Sequence, residues 1–406
     1  MCWTHRSSRP ETAWVTTESL ERTSTARSWL GVAAITASLF VFLTTELMPV
    51  GLLTPLSSSL GVPVGVAGLM VTLYGVSAGL GVPFIVAWSR RVNRRVLLSV
   101  LLSVLTVGNL VTSIAPNFPL MLATRLCMGF ASGVFWAIGV SMAMRLVAPR
   151  DAGRAAATVM SGISVAAVVG IPLGIFLESR TDWRTTFLIW SGLSLLVLLA
   201  VVAAIPSLPS DNAVPVREVF ALPVRNGRLR LVMVMVMLFV LGHFGAYTFV
   251  RPYLEGESSA SPAFITAVLM AYGAAGAVGN FIGGRVVAWN VRSGFVLGCT
   301  GVTAALILLL AVGSSPVGQV VTLVLWGLAF GVVQLCQVNL TQAAAPDTFE
   351  AAMSLNTMAY NTSIALGALF AGLFADHTGI NSVLYFGIAL TAASLLVTLV
   401  TGRRTA

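Results

Sequence analysis

Glu46 stands in the stretch TTELMPVGLL (44–53), near the end of an apolar run that begins at Trp29. A carboxylate in hydrocarbon costs about 2.5 kcal/mol or more on the lowest insertion scales. Glu46 therefore either reaches an interface or is kept for a purpose. It lies 17 residues from Trp29 and 7 from Leu53, so snorkelling toward the outer interface is open to it, although its stem is short. Pro49 bends the helix and frees backbone groups, which fits a segment that lines a cavity. Carboxylates within membranes usually face the protein interior or water and mark ion pathways. Desolvation favours a protonated carboxyl group, and a nearby cation or water favours the ionised one. A rearrangement that changes access can thus load a proton on one side and release it on the other. Proton carriage coupled to solute export is the chemistry open to Glu46.

Arg125 is the one basic residue deep in an apolar run, and its guanidinium stays charged. It can act as a hydrogen-bonding post for carbonyl groups of the first or second span, or as the counter-charge that biases Glu46 or holds a substrate oxygen. Gln334, Gln337 and Thr341 fall at i, i+3 and i+7, one face of a helix, and Asn356, Tyr360 and Ser363 share a face at i, i+4 and i+7. Their amides and hydroxyls can bond a solute across a wet cavity, or one another between helices, where such bonds average roughly 0.6 kcal/mol. Phe135, Trp136, His243, Phe244 and Tyr247 are aromatic candidates for the pocket wall, and a lone histidine such as His243 is more often structural than a proton carrier. Gly162, Ala166, Gly170 and Gly174 recur every four residues beside Pro172, a small-residue stripe that lets helices approach closely. These glycines are packing positions and not ligands.

The elements that must hold these residues are membrane helices. Of 406 residues 57% are hydrophobic and only 9% charged, against roughly 25% charged in soluble domains. The net charge of +9 would point to nucleic acid in a soluble protein, but here it is distributed by topology, so no nucleic-acid partner is expected. Cys2, Cys127, Cys299 and Cys336 show neither CxxC nor metal spacing. No phosphate loop of the GxxxxGK[ST] type occurs, and the three histidines form no catalytic or metal motif. Neither an enzyme, nor a cofactor, nor ATP-driven transport is indicated; the energy source is an ion gradient.

Hydropathy resolves twelve spans, at 29–53, 66–88, 96–115, 118–144, 155–178, 186–205, 231–250, 263–284, 295–313, 317–340, 351–374 and 382–402. Backbone amides in lipid must be satisfied within their own segment, so these are helices, and the alternation of a membrane barrel is absent. All 23 basic residues are arginine. With the N-terminus inside, 19 of them fall on one side, Arg180, Arg184 and Arg251 on the other, and Arg125 within a span. The positive-inside rule therefore predicts both termini in the cytoplasm of a multi-pass cell-membrane protein. Residues 1–28 lack a signal-peptide core and read as a disordered cytoplasmic tail or an overlong start.

A proline-rich linker, 206–228, divides the chain into 29–205 and 229–402, with a short cytoplasmic tail at 403–406. Gly129 and Gly133 are matched by Gly327 and Gly331, 198 positions on; Ala148-Pro149 and Gly170 by Ala345-Pro346 and Gly367, 197 on; Ala87-Trp88 by Ala288-Trp289 at 201. Collinear matches of this kind predict duplicated six-helix bundles with a substrate cavity at their interface near mid-membrane.

Several stretches resemble the major facilitator superfamily, in particular its twelve-span drug:proton antiporter branch with sugar and purine-nucleoside efflux permeases, over about residues 29 to 402. They are TTELMPVGLLTPLSSSLGV, the fourth-span stretch RLCMGFASGVFWAIGVSMAMRLVAPRDAGRAAA with Arg125, Gly129 and Gly133, and GISVAAVVGIPLG with Gly162, Gly170, Pro172 and Gly174, joined by DWRTTF and FVRPYLE. The fifth-span motif implies an exporter. WSRRVNRRVLL departs from the family's loop after span two, with Arg90 in place of Asp and Asn93 in place of Gly, so the charge lock made by that Asp lacks its acid.

The resulting expectation is an all-α polytopic protein of two pseudo-symmetric six-helix bundles, a monomer in the lipid bilayer that exports a small organic solute (sugar, nucleoside or antibiotic-like drug) by proton antiport. An uncoupled facilitator or importer of sugars or nucleosides is the first alternative, and a non-transporting receptor or scaffold the second.

Overall fold

The computed structural model describes residues 24–88, 92–207, 216–258 and 260–402. The expected tail up to residue 23, Arg90 and Arg91, the middle of the linker and residues 403–406 lie outside these. In the first half the helices are α1 (Ala26–Leu47), α2 (Leu53–Leu60), α3 (Val64–Ala67), α4 (Leu69–Trp88), α5 (Arg94–Ile114), α6 (Phe118–Leu146), α7 (Ala152–Val165), α8 (Ile171–Arg180) and α9 (Trp183–Ala204). The linker carries α10 (Val216–Arg225), which has Pro223 inside it and Leu222 packed against the buried core. The second half has α11 (Gly227–Thr248), α12 (Val250–Ser258), α13 (Pro262–Val312), α14 (Pro316–Ala344), α15 (Phe349–Thr378) and α16 (Ser382–Gly402). No β-strand occurs among the described residues.

Among the described residues, eleven helical stretches are long and apolar enough to cross a membrane. One of them, α13, has 51 residues, about 76 Å at 1.5 Å per residue and more than twice the ~30 Å hydrocarbon thickness. Asn290, with φ −163° and ψ 108°, breaks it. The eleven stretches therefore make twelve crossings, and the expected eighth and ninth spans follow one another through this break. The first span starts earlier than hydropathy indicates, because Thr25 caps α1 by accepting from the Ser28 N–H at 3.2 Å. Outward faces remain apolar, with Leu196 64% and Phe281 78% exposed, as lipid contact requires.

Within each half the helices pack on one another, and two close approaches recur. A Cβ at Gly129 would lie 2.2 Å from the Tyr74 carbonyl oxygen, and one at Gly133 2.0 Å from that of Ala78. At Gly327 and Gly331 the equivalent carbonyls are Tyr272 and Gly276, at 2.2 and 2.0 Å. Each partner is displaced by the same 198 positions as its glycine. Likewise a Cβ at Gly170 would meet the Thr44 side chain and one at Gly367 the Leu241 carbonyl, where both members shift by 197. The repeat read from the glycines is thus written in their contacts. Gly133→Ala is expected to cost about 1–3 kcal/mol or more by overpacking backbone against backbone, whereas Gly192, with nothing within 4 Å of its Cβ position, tolerates Ala. Thermal melts of the two purified variants check this; equal melting temperatures would contradict the packing argument.

The two halves meet along α4 and α15, where Gly75 and Gly79 face Ala365 and Thr362. At the end of the molecule away from α10, polar groups join them. Arg251 of α12 pairs with Glu178 of α8 at 3.0 Å and with Glu255 at 2.7 Å, and donates to the Gly51 carbonyl. Thr54 donates to Glu255 at 2.5 Å. The Asp376 carboxylate accepts from the Gly65 and Val66 amides at 2.7 and 3.1 Å.

Candidate functional site

Glu46 lies in the last turn of α1, immediately before a 3-10 turn, Met48–Gly51, in which Pro49 stands at the start. Proline has no N–H to give the carbonyl four residues back, which here belongs to Thr45. Arg125 of α6 fills the place: its Nη1 donates to the Thr45 carbonyl at 2.8 Å. The guanidinium is fully buried and lies over the rings of Phe187 and Tyr74, 5.1 and 5.9 Å from their centroids. Its Nε and Nη2 have no protein partner. Of the two roles open to Arg125, the carbonyl post is the contact present. No ion pair within 4.0 Å joins it to Glu46, although both belong to the described residues.

The Glu46 side chain is 5% exposed. Ser132 donates to its Oε2 at 3.5 Å, and the Trp136 side chain is a second hydrogen-bond partner. Ser132 also bonds the Tyr74 side chain, and the Tyr74 hydroxyl reaches the Phe42 carbonyl at 3.5 Å. Both hydrogen-bond partners of Glu46 are neutral side chains. Of the aromatic candidates nearby, Trp136 is half-buried beside the acid, while Phe135 stacks on Phe42 at 4.6 Å within the packed first half.

The fifth-span stretch GISVAAVVGIPLG packs directly on the helix that carries Glu46. Cβ atoms at Gly162, Gly170 and Gly174 would meet Thr36, Thr44 and Met48, a constant offset of 126 that makes α7–α8 run parallel to α1. The four-residue stripe is not continuously α-helical, however. Residues Ala166–Gly170 form a π turn between α7 and α8. Pro172, buried in the first turn of α8, cannot donate to the turn before it, and the chain widens there instead of simply kinking. The opposite face of this turn meets the second half, since a Cβ at Gly273 would lie 2.6 Å from Val168 Cα.

In the second half Gln334 donates to the Tyr360 hydroxyl at 2.9 Å, and Gln337 to Gln334 Oε1 at 2.6 Å. Gln337 Oε1 and Asn356 Oδ1 are buried without a protein partner. Gln337, Gln334 and Tyr360 thus form one chain of side-chain hydrogen bonds between α14 and α15, whereas Thr341 and Ser363 of the predicted faces donate to carbonyls of their own helices.

His243 is placed differently from a cavity-wall residue. It is fully buried, with its ring stacked on Phe330 at 4.0 Å and 1° between planes, and Phe239, Phe244, Tyr247 and Trp326 surround it. Trp326 Nε1–H donates to His243 Nδ1 at 3.0 Å, and Nε2 faces the Tyr272 hydroxyl at 3.4 Å. An indole only donates, so Nδ1 must accept. The ring is therefore the neutral Nε2–H tautomer, held as a strut between α11, α13 and α14. Tyr247 is 4% exposed in the same cluster. The repeat offset relates these groups as well: 197 carries Glu46 to His243, and 198 carries Tyr74 to Tyr272, Ser132 to Phe330 and Trp136 to Gln334. Tyr74 and Ser132, unremarked in the sequence, are marked by that offset. Glu178, which meets Arg251, carries no local signal, whereas Glu255 does, at i+4 from Arg251.

Comparison with known proteins places this geometry. Residues 33–350 match the family model of the Major Facilitator Superfamily. Among solved structures, a bacterial homologue of the human lysosomal transporter Spinster, inward-facing and occupied, is 14% identical with a TM-score of 0.75, over 92% of this chain and 96% of that one. The nucleoside transporter NupG, in a mutant form, is 12% identical with a TM-score of 0.74, over 93% and 100%. The human organic anion transporter MFSD10 is 18% identical with a TM-score of 0.66, over 91% and 99%. At these identities the likeness is one of fold.

Proposed function

Because the chain belongs to the major facilitator superfamily, we propose that it is a secondary active exporter that moves a small organic solute out of the cell in exchange for protons, by alternating access between its two halves. Membership itself makes it a membrane transporter of a small molecule and not an enzyme. The observation that carries the finer reading is Glu46: a buried carboxyl group with neutral partners, in the last turn of a helix, against which the π turn between α7 and α8 packs. Because the same turn also touches α13 of the second half, movement between the halves shifts the surroundings of α1, and with them access to the acid. Glu46 carries the proton, and Arg125 fixes the bent end of α1 beside it. The amide chain of Gln334, Gln337 and Tyr360, with Asn356 and Trp136 nearby, supplies hydrogen bonds for a sugar, nucleoside or antibiotic-like drug. The protein functions as a monomer in the cell (inner) membrane with both termini cytoplasmic, so the polar contacts around Arg251 close its outer side.

The test is export from cells that overproduce the protein, screened with toxic nucleosides, sugar analogues and antibiotics. For the solute to which resistance is gained, collapse of the proton gradient with an ionophore is expected to raise cellular accumulation to the level of cells lacking the protein. Accumulation that ignores the ionophore would indicate an uncoupled facilitator.

A further inference from the structure

The second span begins with a single helical turn, α3, set off from α4 by Gly68. The amides of Val64, Gly65 and Val66 precede the first intrahelical donor, Ala67, which bonds the Pro63 carbonyl at 2.9 Å. A helix start of this kind is usually closed by a serine, threonine, aspartate or asparagine, whose side chain accepts from the second or third amide. Pro63 stands in that place and makes no such bond. The acceptor comes instead from the other half of the molecule. Asp376, near the end of α15 and 311 positions from Gly65, takes the Gly65 amide on Oδ1 at 2.7 Å and the Val66 amide on Oδ2 at 3.1 Å. Among the described residues Asp376 makes no ion pair within 4.0 Å, so its part there is to accept hydrogen bonds. Both backbones are shaped for the approach: a Cβ at Gly65 would lie 2.1 Å from the Gly372 carbonyl oxygen, and one at Gly372 2.8 Å from that of Gly65.

We infer that Asp376 is a helix cap shared between the halves: the first turn of the second span is closed only while the end away from α10 is shut, so the order of that turn and the closure of the molecule stabilise each other. One turn between a proline and a glycine does not hold itself, since short helices are marginal and glycine weakens them further. With Asp376 withdrawn, the leading amides turn to water and the turn frays. Opening this end therefore carries a cost that Pro63 cannot offset from its own side. The inference rests on the separation of the halves that alternating access requires, and on neither proton coupling nor the identity of the solute. It also differs in kind from the Arg251 contacts, because no charge is neutralised and an uncharged acceptor can serve.

Two readouts on the full-length protein in nanodiscs test it: hydrogen exchange of the Gly65 and Val66 amides, followed by mass spectrometry, and the distance between spin labels at Ser58 and Asn381, exposed on opposite halves. Asp376→Ala is expected to speed exchange about fivefold, the factor that goes with loss of a typical cap, and to add a longer distance. Asp376→Asn keeps a capping oxygen and should stay nearer wild type than alanine in both readouts. Pro63→Ser, combined with Asp376→Ala, supplies a cap from the chain's own side; it should restore slow exchange and leave the longer distance in place. Unchanged exchange in Asp376→Ala, fast exchange at the wild-type distance, or an asparagine variant that behaves like alanine would each overturn the inference. So would a serine that restored the short distance as well, because closure would then need no bond between the halves. Failure of export in the drug and nucleoside screen would leave both readouts standing.

Discussion

Glu46→Gln is expected to abolish solute accumulation driven by a proton gradient in everted vesicles, down to the level of vesicles without the protein, while solute exchange at equal concentrations persists. The substitution is chosen because it keeps what the structure shows and removes what the proposal needs. A glutamine carbonyl accepts from Ser132 as the carboxylate does, and the side chain keeps its length in a site that is 95% shielded from solvent. Loss or change of a single hydrogen bond is worth about 0.5–1.5 kcal/mol, so solute binding should change by no more than about tenfold. What is lost outright is the titrating group. A coupled carrier must change protonation between its two accessible states; with a glutamine there, the gradient has no handle on the cycle. Wild-type accumulation by the glutamine variant would remove Glu46 from the coupling mechanism, and loss of both accumulation and exchange would give it a structural or binding role instead.

The same site shows what sequence can reveal. A carboxylate inside an apolar run is conspicuous because its presence there is expensive, and Glu46 was legible for that reason. Arg125 was legible as a buried base, and its actual partner was encoded nearby: Pro49 deprives the carbonyl four residues back, and that carbonyl is the one Arg125 bonds. The repeat, read from a few glycines, extends in the structure to the groups around Glu46 and His243. Sequence could not show that the two halves of this pseudo-symmetric site diverged chemically. Whether His243 lines a cavity or fills a core depends on Trp326 and Phe330, 83 and 87 positions away, and no local spacing reports that contact. The π turn was equally hidden, because four-residue glycine spacing is satisfied by an ordinary helix until backbone hydrogen bonding is counted. The break at Asn290 went unseen for the opposite reason, since hydropathy locates the two apolar spans and not how the chain joins them.

Arg251 carries the second large effect, since it is the group on which the closed end of the two halves converges. Its side chain is 5% exposed and its partners Glu178 and Glu255 are 15% and 22% exposed, so the pair with Glu178 is sheltered but within reach of water. Removing one partner of a fully buried pair costs about 3–5 kcal/mol; partial exposure reduces this, and a shift of about 1–3 kcal/mol between closed and open ends is expected. Glu178→Gln is the cleaner variant, because it removes the ion pair between the halves and leaves Arg251 paired with Glu255 within α12. Arg251→Ala should shift the balance further, since it leaves two carboxylates facing each other and the Gly51 carbonyl without its donor. Spin labels at Ser58 and Asn381, both exposed near this end and on opposite halves, report the outcome as a distance distribution. Wild type should be dominated by one short distance, Glu178→Gln should add a longer population, and Arg251→Ala should make the longer one prevail. Such a shift means that the ion pair, and not only the glycine-mediated packing of α4 on α15, holds the end shut. If both variants kept the wild-type distribution, closure would rest on backbone contacts such as Gly75 against Ala365, and Arg251 would serve only to satisfy the turn after α1.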